Sequence, residues 1–134
     1  GGPVPGQAEP LPEVAADAPE IIVVSDDPLR ADRAVRGLAV HGLRGARATT
    51  GDLDDLADAE ATVIVVDLGR SASIALQLAG QIALLHFDCP LVLAGIRDAK
   101  FEEAARRELP AAAVWSREPP GDPGLLAKVA ALLD

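Results

Sequence analysis

Ala61-Thr62-Val63-Ile64-Val65-Val66-Asp67 is the stretch on which the fold turns. Four consecutive β-branched aliphatic residues suit a strand covered on both faces, because a half-exposed strand would show a polar residue at every second position. The run ends on a carboxylate. A second run of the same kind, Ile21-Ile22-Val23-Val24, lies upstream and ends at Ser25-Asp26-Asp27-Pro28. Pro28 fits the first turn of a helix, where its missing N–H is not needed. Leu29, Ala31, Ala34, Val35 and Leu38 then recur at helical spacing, with Arg30, Arg33 and Arg36 between them, and Gly42 marks the end.

The same alternation continues outward. Residues 46–49 read as a weaker strand and 51–59 as a short acidic helix carrying Leu53 and Leu56. Residues 71–85 read as a helix with Ile74, Leu78, Ile82 and Leu85 on one face. Leu91-Val92-Leu93-Ala94 reads as a fourth strand. Residues 99–109 form a helix capped by Asp98, residues 111–115 a weaker fifth strand, and 123–133 a closing helix capped by Asp122, with Leu125, Leu126, Val129 and Leu132 facing inward. Five β–α pairs predict an α/β domain: a flavodoxin-like (βα)5 doubly wound parallel sheet of order 2-1-3-4-5.

Composition narrows the function. The chain has 134 residues, 49% of them hydrophobic and 25% charged, enough for one domain. Its formal charge is −9 and only 2% of its residues are aromatic, which argues against direct binding of nucleic acid. No apolar stretch reaches the roughly 20 residues of a membrane span, so no membrane contact is expected of this fragment. One cysteine excludes a disulfide framework and a multi-cysteine zinc site. Residues 1–20 hold five of the 11 prolines and four acids with no Lys or Arg, and read as an extended linker or tail before a domain at 21–134.

In a doubly wound sheet the ligand crevice lies beyond the carboxyl ends of the strands at the switch point. The first strand ends there at Ser25, Asp26 and Asp27, an acidic pocket, and the third ends at Asp67. Two uses of these acids are open. Asp26 and Asp27 can cap the following helix, or the carboxylates can share a hard divalent ion such as Mg²⁺. Nucleotide-loop and hydrolase-elbow patterns are absent. Cys89 sits at the wrong end of its strand to act as a nucleophile, and His41 and His86 fall near helix ends, where they suit the helix dipole. The chain is therefore not expected to be an enzyme.

These two acidic strand ends, in Ile21-Ile22-Val23-Val24-Ser25-Asp26-Asp27-Pro28-Leu29 and Val63-Ile64-Val65-Val66-Asp67, resemble the CheY-like receiver family of response regulators. The resemblance runs over residues 21–133. It implies Asp67 as phosphoacceptor, and Asp26, Asp67 and the carbonyl of Gly69 as Mg²⁺ ligands. Four departures accompany it. Ser25 stands where the first acid of the pair belongs. Gly95, or Ala94 in a register one residue away, stands where a switch hydroxyl belongs. The stretch just after the fifth strand, residues 115–120, holds no Lys: Arg117 takes its place, or Ser116 or Glu118 in the neighbouring registers, and Val114 or Trp115 falls where the switch aromatic belongs. Leu68-Gly69-Arg70-Ser71 lacks the usual proline.

A phosphoryl group with no hydroxyl to grip has no differential contact with which to shift two states. The resemblance with these losses implies a degenerate receiver, or pseudo-receiver, of bacterial two-component signalling in the cytoplasm. Its partners would be a histidine kinase or neighbouring domains of the same chain, as in a hybrid histidine kinase. Arg97, Lys100, Arg106, Arg107, Trp115 and Arg117 offer a basic, aromatic face for a partner or for a nucleotide second messenger such as cyclic di-GMP. The alternative is a working receiver phosphorylated on Asp67 with Mg²⁺.

Overall fold

The computed structural model describes residues 14–15, 18, 20–52, 61–69, 72–85 and 89–133. Five parallel strands form one sheet in the order β2-β1-β3-β4-β5, the order expected from the sequence. They are β1 (Glu20–Val24), β2 (Arg44–Ala48), β3 (Val63–Asp67), β4 (Leu91–Ala94) and β5 (Val114–Trp115). Four helices are described: α1 (Pro28–Val40), α2 (Ala72–Leu85), α3 (Ala99–Arg106) and α4 (Pro123–Ala131). The short acidic helix expected over 51–59 and most of the expected linker lie outside the described residues.

The unbroken apolar runs are explained by two cores. Ile22, Val24, Ile64, Val66, Leu91 and Leu93 face one side of the sheet and pack with Ala75, Leu78, Ala79 and Ile82 of α2. Ile21, Val23, Val63, Val65, Val92 and Ala94 face the other side and pack with Ala34, Val35 and Leu38 of α1 and Leu125, Leu126 and Val129 of α4. Successive side chains of a strand point to opposite faces, so a strand covered twice is apolar at every position.

Some helical positions differ from expectation. Ile74 is exposed, and Ala75 takes the inward place on α2. Leu29, in the first turn of α1, and Leu132, the C-cap of α4, are also exposed. Asp27, Asp98 and Asp122 each cap a helix by accepting backbone N–H groups. β5 is shorter than expected, because Ala111 and Ala112 belong to a turn that precedes it.

Candidate functional site at the carboxyl edge of the sheet

Register sets the site. Val24 of β1 is level with Val66 of β3, so the next residues, Ser25 and Asp67, stand side by side. Asp67 is level with Ala94 of β4, which brings Gly95 beside it. Ser25 and Asp67 are the buried polar residues of the described core. A buried carboxylate needs partners, and Asp67 has four donors for its two oxygens. Oδ2 accepts the Ser25 hydroxyl at 2.8 Å and the Arg30 Nε–H at 2.8 Å. Oδ1 accepts the Arg30 Nη2–H at 2.9 Å and the Gly69 N–H at 3.0 Å.

Arg30 therefore grips Asp67 through a two-pronged fork, the strongest geometry available to an arginine and a carboxylate. The Asp67 side chain is 2% exposed and that of Arg30 25%. Burial pushes the Asp67 carboxyl up, but the Arg30 fork, the Gly69 amide and the Ser25 hydroxyl together hold it below the usual carboxylate range. The bond to Asp67 in turn raises Arg30 further above its ordinary value, against the opposing effect of burial.

The other acids of this edge are engaged elsewhere. Asp26 is exposed and accepts the Thr50 N–H at 2.9 Å and the Thr50 hydroxyl at 2.7 Å. Asp27 caps α1 through Leu29 N–H at 3.0 Å and Arg30 N–H at 3.3 Å. Of the sequence-derived site, Ser25, Asp67, Gly69 and Gly95 come together, whereas the carboxylates of Asp26 and Asp27 turn to other partners.

Arg30 was missed as a site residue. It looks like one of three arginines spaced along a solvent-facing stripe. Its signal is its place in the first turn after β1, which puts it at the switch point, within a side chain's reach of the end of β3.

The two positions expected to form a degenerate switch, Gly95 and Arg117, are also described. Gly95 has φ +78°, a left-handed conformation that favours glycine. Its N–H donates to the Glu118 carbonyl at 2.7 Å, and Ile96 N–H donates to the Ser116 carbonyl, lacing the loop after β4 to the loop after β5. Arg117 is exposed on that second loop and is not among the donors to Asp67.

On the basic face, Arg106 lies over the Trp115 ring, 5.3 Å from its centroid, and also pairs with Glu102. Arg107 pairs with Glu103. Arg97 and Lys100 are exposed. Cys89 is half-buried, and that burial raises its thiol above the ordinary range.

This architecture is that of known proteins. A CheY-like response regulator receiver of Methanospirillum hungatei is 20% identical, with 88% of this chain and 95% of that one covered at a TM-score of 0.73. A response regulator of Burkholderia pseudomallei, solved with a phosphorylated aspartate, a calcium ion and citrate, is 18% identical, with 86% and 72% covered at a TM-score of 0.66. An atypical orphan response regulator, described as revealing a phosphorylation-independent regulatory mechanism, is 16% identical, with 85% and 94% covered at a TM-score of 0.66. No family model and no curated protein matches the chain. The chain has the CheY-like fold of response-regulator receiver domains.

A receiver fold implies a divalent cation beside the phosphoacceptor. The donors arranged here do not fit one. Both oxygens of Asp67 are taken up by Arg30, Ser25 and Gly69, Asp26 is tied to Thr50, and a serine replaces one acid. Among the described residues no group of three or more His, Cys, Asp or Glu is placed to hold a metal ion. Among the described residues, too, no helix is long and apolar enough to cross a membrane.

Proposed function

We infer that this domain is a pseudo-receiver, a regulatory docking module of two-component signalling that works without phosphorylation of Asp67. The observation that carries this reading is the fork of Arg30 on Asp67. An in-line phosphoryl transfer needs a free carboxylate oxygen and charge neutralisation of the arriving group. Here each oxygen already accepts two hydrogen bonds, and the neutralising charge is already spent on the carboxylate itself. Gly95 has no hydroxyl to follow a phosphoryl oxygen, and Arg117 is turned to solvent.

What remains is a rigid scaffold with surfaces. The partner in this reading is a cytoplasmic histidine kinase, or the kinase core of the same chain, docked on the face built by α3, β5 and α4. Cyclic di-GMP on that face would have to displace Arg106 from Trp115 before a base could stack there, whereas protein docking requires no such displacement. The working-receiver alternative, with Mg²⁺ at Asp26, Asp67 and the Gly69 carbonyl, requires Arg30 to leave first.

Beryllofluoride or acetyl phosphate with millimolar Mg²⁺ tests the reading. The amide NMR signals of Asp67, Gly69 and Gly95 are expected to stay in place, and Asp67→Asn is expected to be recovered with the kinase core as well as wild type. Large shifts at those amides would establish the working receiver instead.

A further inference from the structure

We propose that Gly69, Gly95 and Asp67 form a cradle shaped for a planar guanidinium, filled by Arg30, so that the site is rebuilt around a built-in cation and has not merely decayed. The proposal rests on the Arg30 fork of the pseudo-receiver reading and adds to it the backbone geometry of the two glycines. A Cβ on Gly69 would lie 2.5 Å from Arg30 Nη2 and 2.9 Å from Cζ. A Cβ on Gly95 would lie 3.0 Å from the same nitrogen and 3.2 Å from Asp67 Oδ1. The absence of a side chain at the switch position is thus the space that the guanidinium uses. The serine at position 25 fits the same plan, since it donates to the carboxylate where an acid would repel it.

The cradle ties separate parts of the fold together. Arg30 belongs to α1, Asp67 ends β3, Gly69 follows it, and Gly95 follows β4 and is itself bonded to the loop after β5. Arg30's own bonds join α1 to the end of β3, and the backbone bonds of Gly95 and Ile96 join the loop after β4 to the loop after β5. An ammonium on a flexible stem cannot reproduce the planar fork, so lysine is not an equivalent.

A thermal-unfolding cycle on the whole domain tests this, using wild type, Arg30→Ala, Arg30→Lys, Gly69→Ala and the double variant Arg30→Ala/Gly69→Ala. Arg30→Ala is expected to lower the midpoint by roughly 5–10 °C, because Asp67 keeps its burial and loses its counter-charge. Arg30→Lys is expected to recover less than half of that loss. Gly69→Ala is expected to lower the wild-type midpoint and to change the Arg30→Ala midpoint little. Millimolar methylguanidinium is expected to raise the midpoint of Arg30→Ala and leave wild type unchanged.

Equal cost of Gly69→Ala in both backgrounds, or rescue by Mg²⁺ as good as by methylguanidinium, would overturn the cradle. Should Arg30→Ala fail to fold, the wild-type Arg30 Nε–H signal decides. A separate, slowly exchanging resonance supports the cradle and a solvent-averaged one rejects it. Phosphate uptake at Asp67 would defeat the docking reading and leave this cycle intact.

Discussion

Ser25 donates its hydroxyl to Oδ2 of Asp67 at 2.8 Å, across the tips of the two central strands. The contact is fixed by the register of β1 on β3, so any residue at position 25 meets Asp67 at close range. Ser25→Asp would place a second carboxylate in a buried position that holds one guanidinium for one charge. Such a change is expected to cost about 2–4 kcal/mol, whereas Ser25→Ala is expected to cost about 1–2 kcal/mol for one lost bond to a charged acceptor. Urea unfolding of the two variants checks both the order and the size.

Stability is expected to fall in acid through Asp67. Its carboxyl is held below the ordinary range in the folded chain, so the unfolded state binds the proton first as pH drops. The stabilisation from this group is complete above the unfolded value of about 4 and is lost as pH falls from there through the folded value. Unfolding midpoints measured from pH 7 down to pH 2 should show this loss in wild type, and Asp67→Asn should lack this component.

Asp67→Asn separates a paired carboxylate from a crowded one. In a pocket of repelling acids, removing one charge relieves repulsion and stabilises the fold. Here the same change leaves Arg30 without its counter-charge and puts an amide against its donors. A loss of about 3 kcal/mol is expected at pH 7. A gain in unfolding free energy would mean that the acids of this edge act together and that the Arg30 fork is not the dominant contact.

The fold was legible because its evidence is local. Val63–Val66 and Ile21–Val24 are apolar at every position, which a strand covered on both faces requires, and Pro28 and Asp27 mark the helix start by their own chemistry. The meeting of the first and third strand ends follows once the sheet order is known, but the sequence pairs Asp26 with Asp67, whereas the register seats Ser25 there and Asp26 turns to Thr50. Arg30 was not legible in the same way. Its neighbours in sequence describe a helix stripe, and only the three-dimensional approach of α1 to the end of β3 shows that its fork reaches Asp67. Gly95 illustrates the same limit from the other side. Sequence marks it as a missing hydroxyl, while its φ of +78° and the guanidinium beside it show what the missing atoms make room for. Likewise the basic face looked like free positive charge, although Arg106 and Arg107 each have a carboxylate four residues upstream, where a helix makes them neighbours.

The Arg106–Trp115 contact gives that face its own test. Trp115 is the only tryptophan, so the chain's indole emission reports on the surroundings of this one ring. The guanidinium lies over the ring at 5.3 Å and is also 3.6 Å from Glu102, which holds it in place. Arg106→Ala is expected to uncover the ring, shift its emission to longer wavelength and cost about 0.5–1 kcal/mol. Glu102→Gln should loosen the arginine without removing it, giving a smaller shift in the same direction. If docking uses the arginine–tryptophan stack as a preformed surface, Arg106→Ala weakens recovery of the kinase core. Stronger recovery of the kinase core by Arg106→Ala would overturn docking on the intact stack, and the Asp67 amide is expected to stay where it is in wild type.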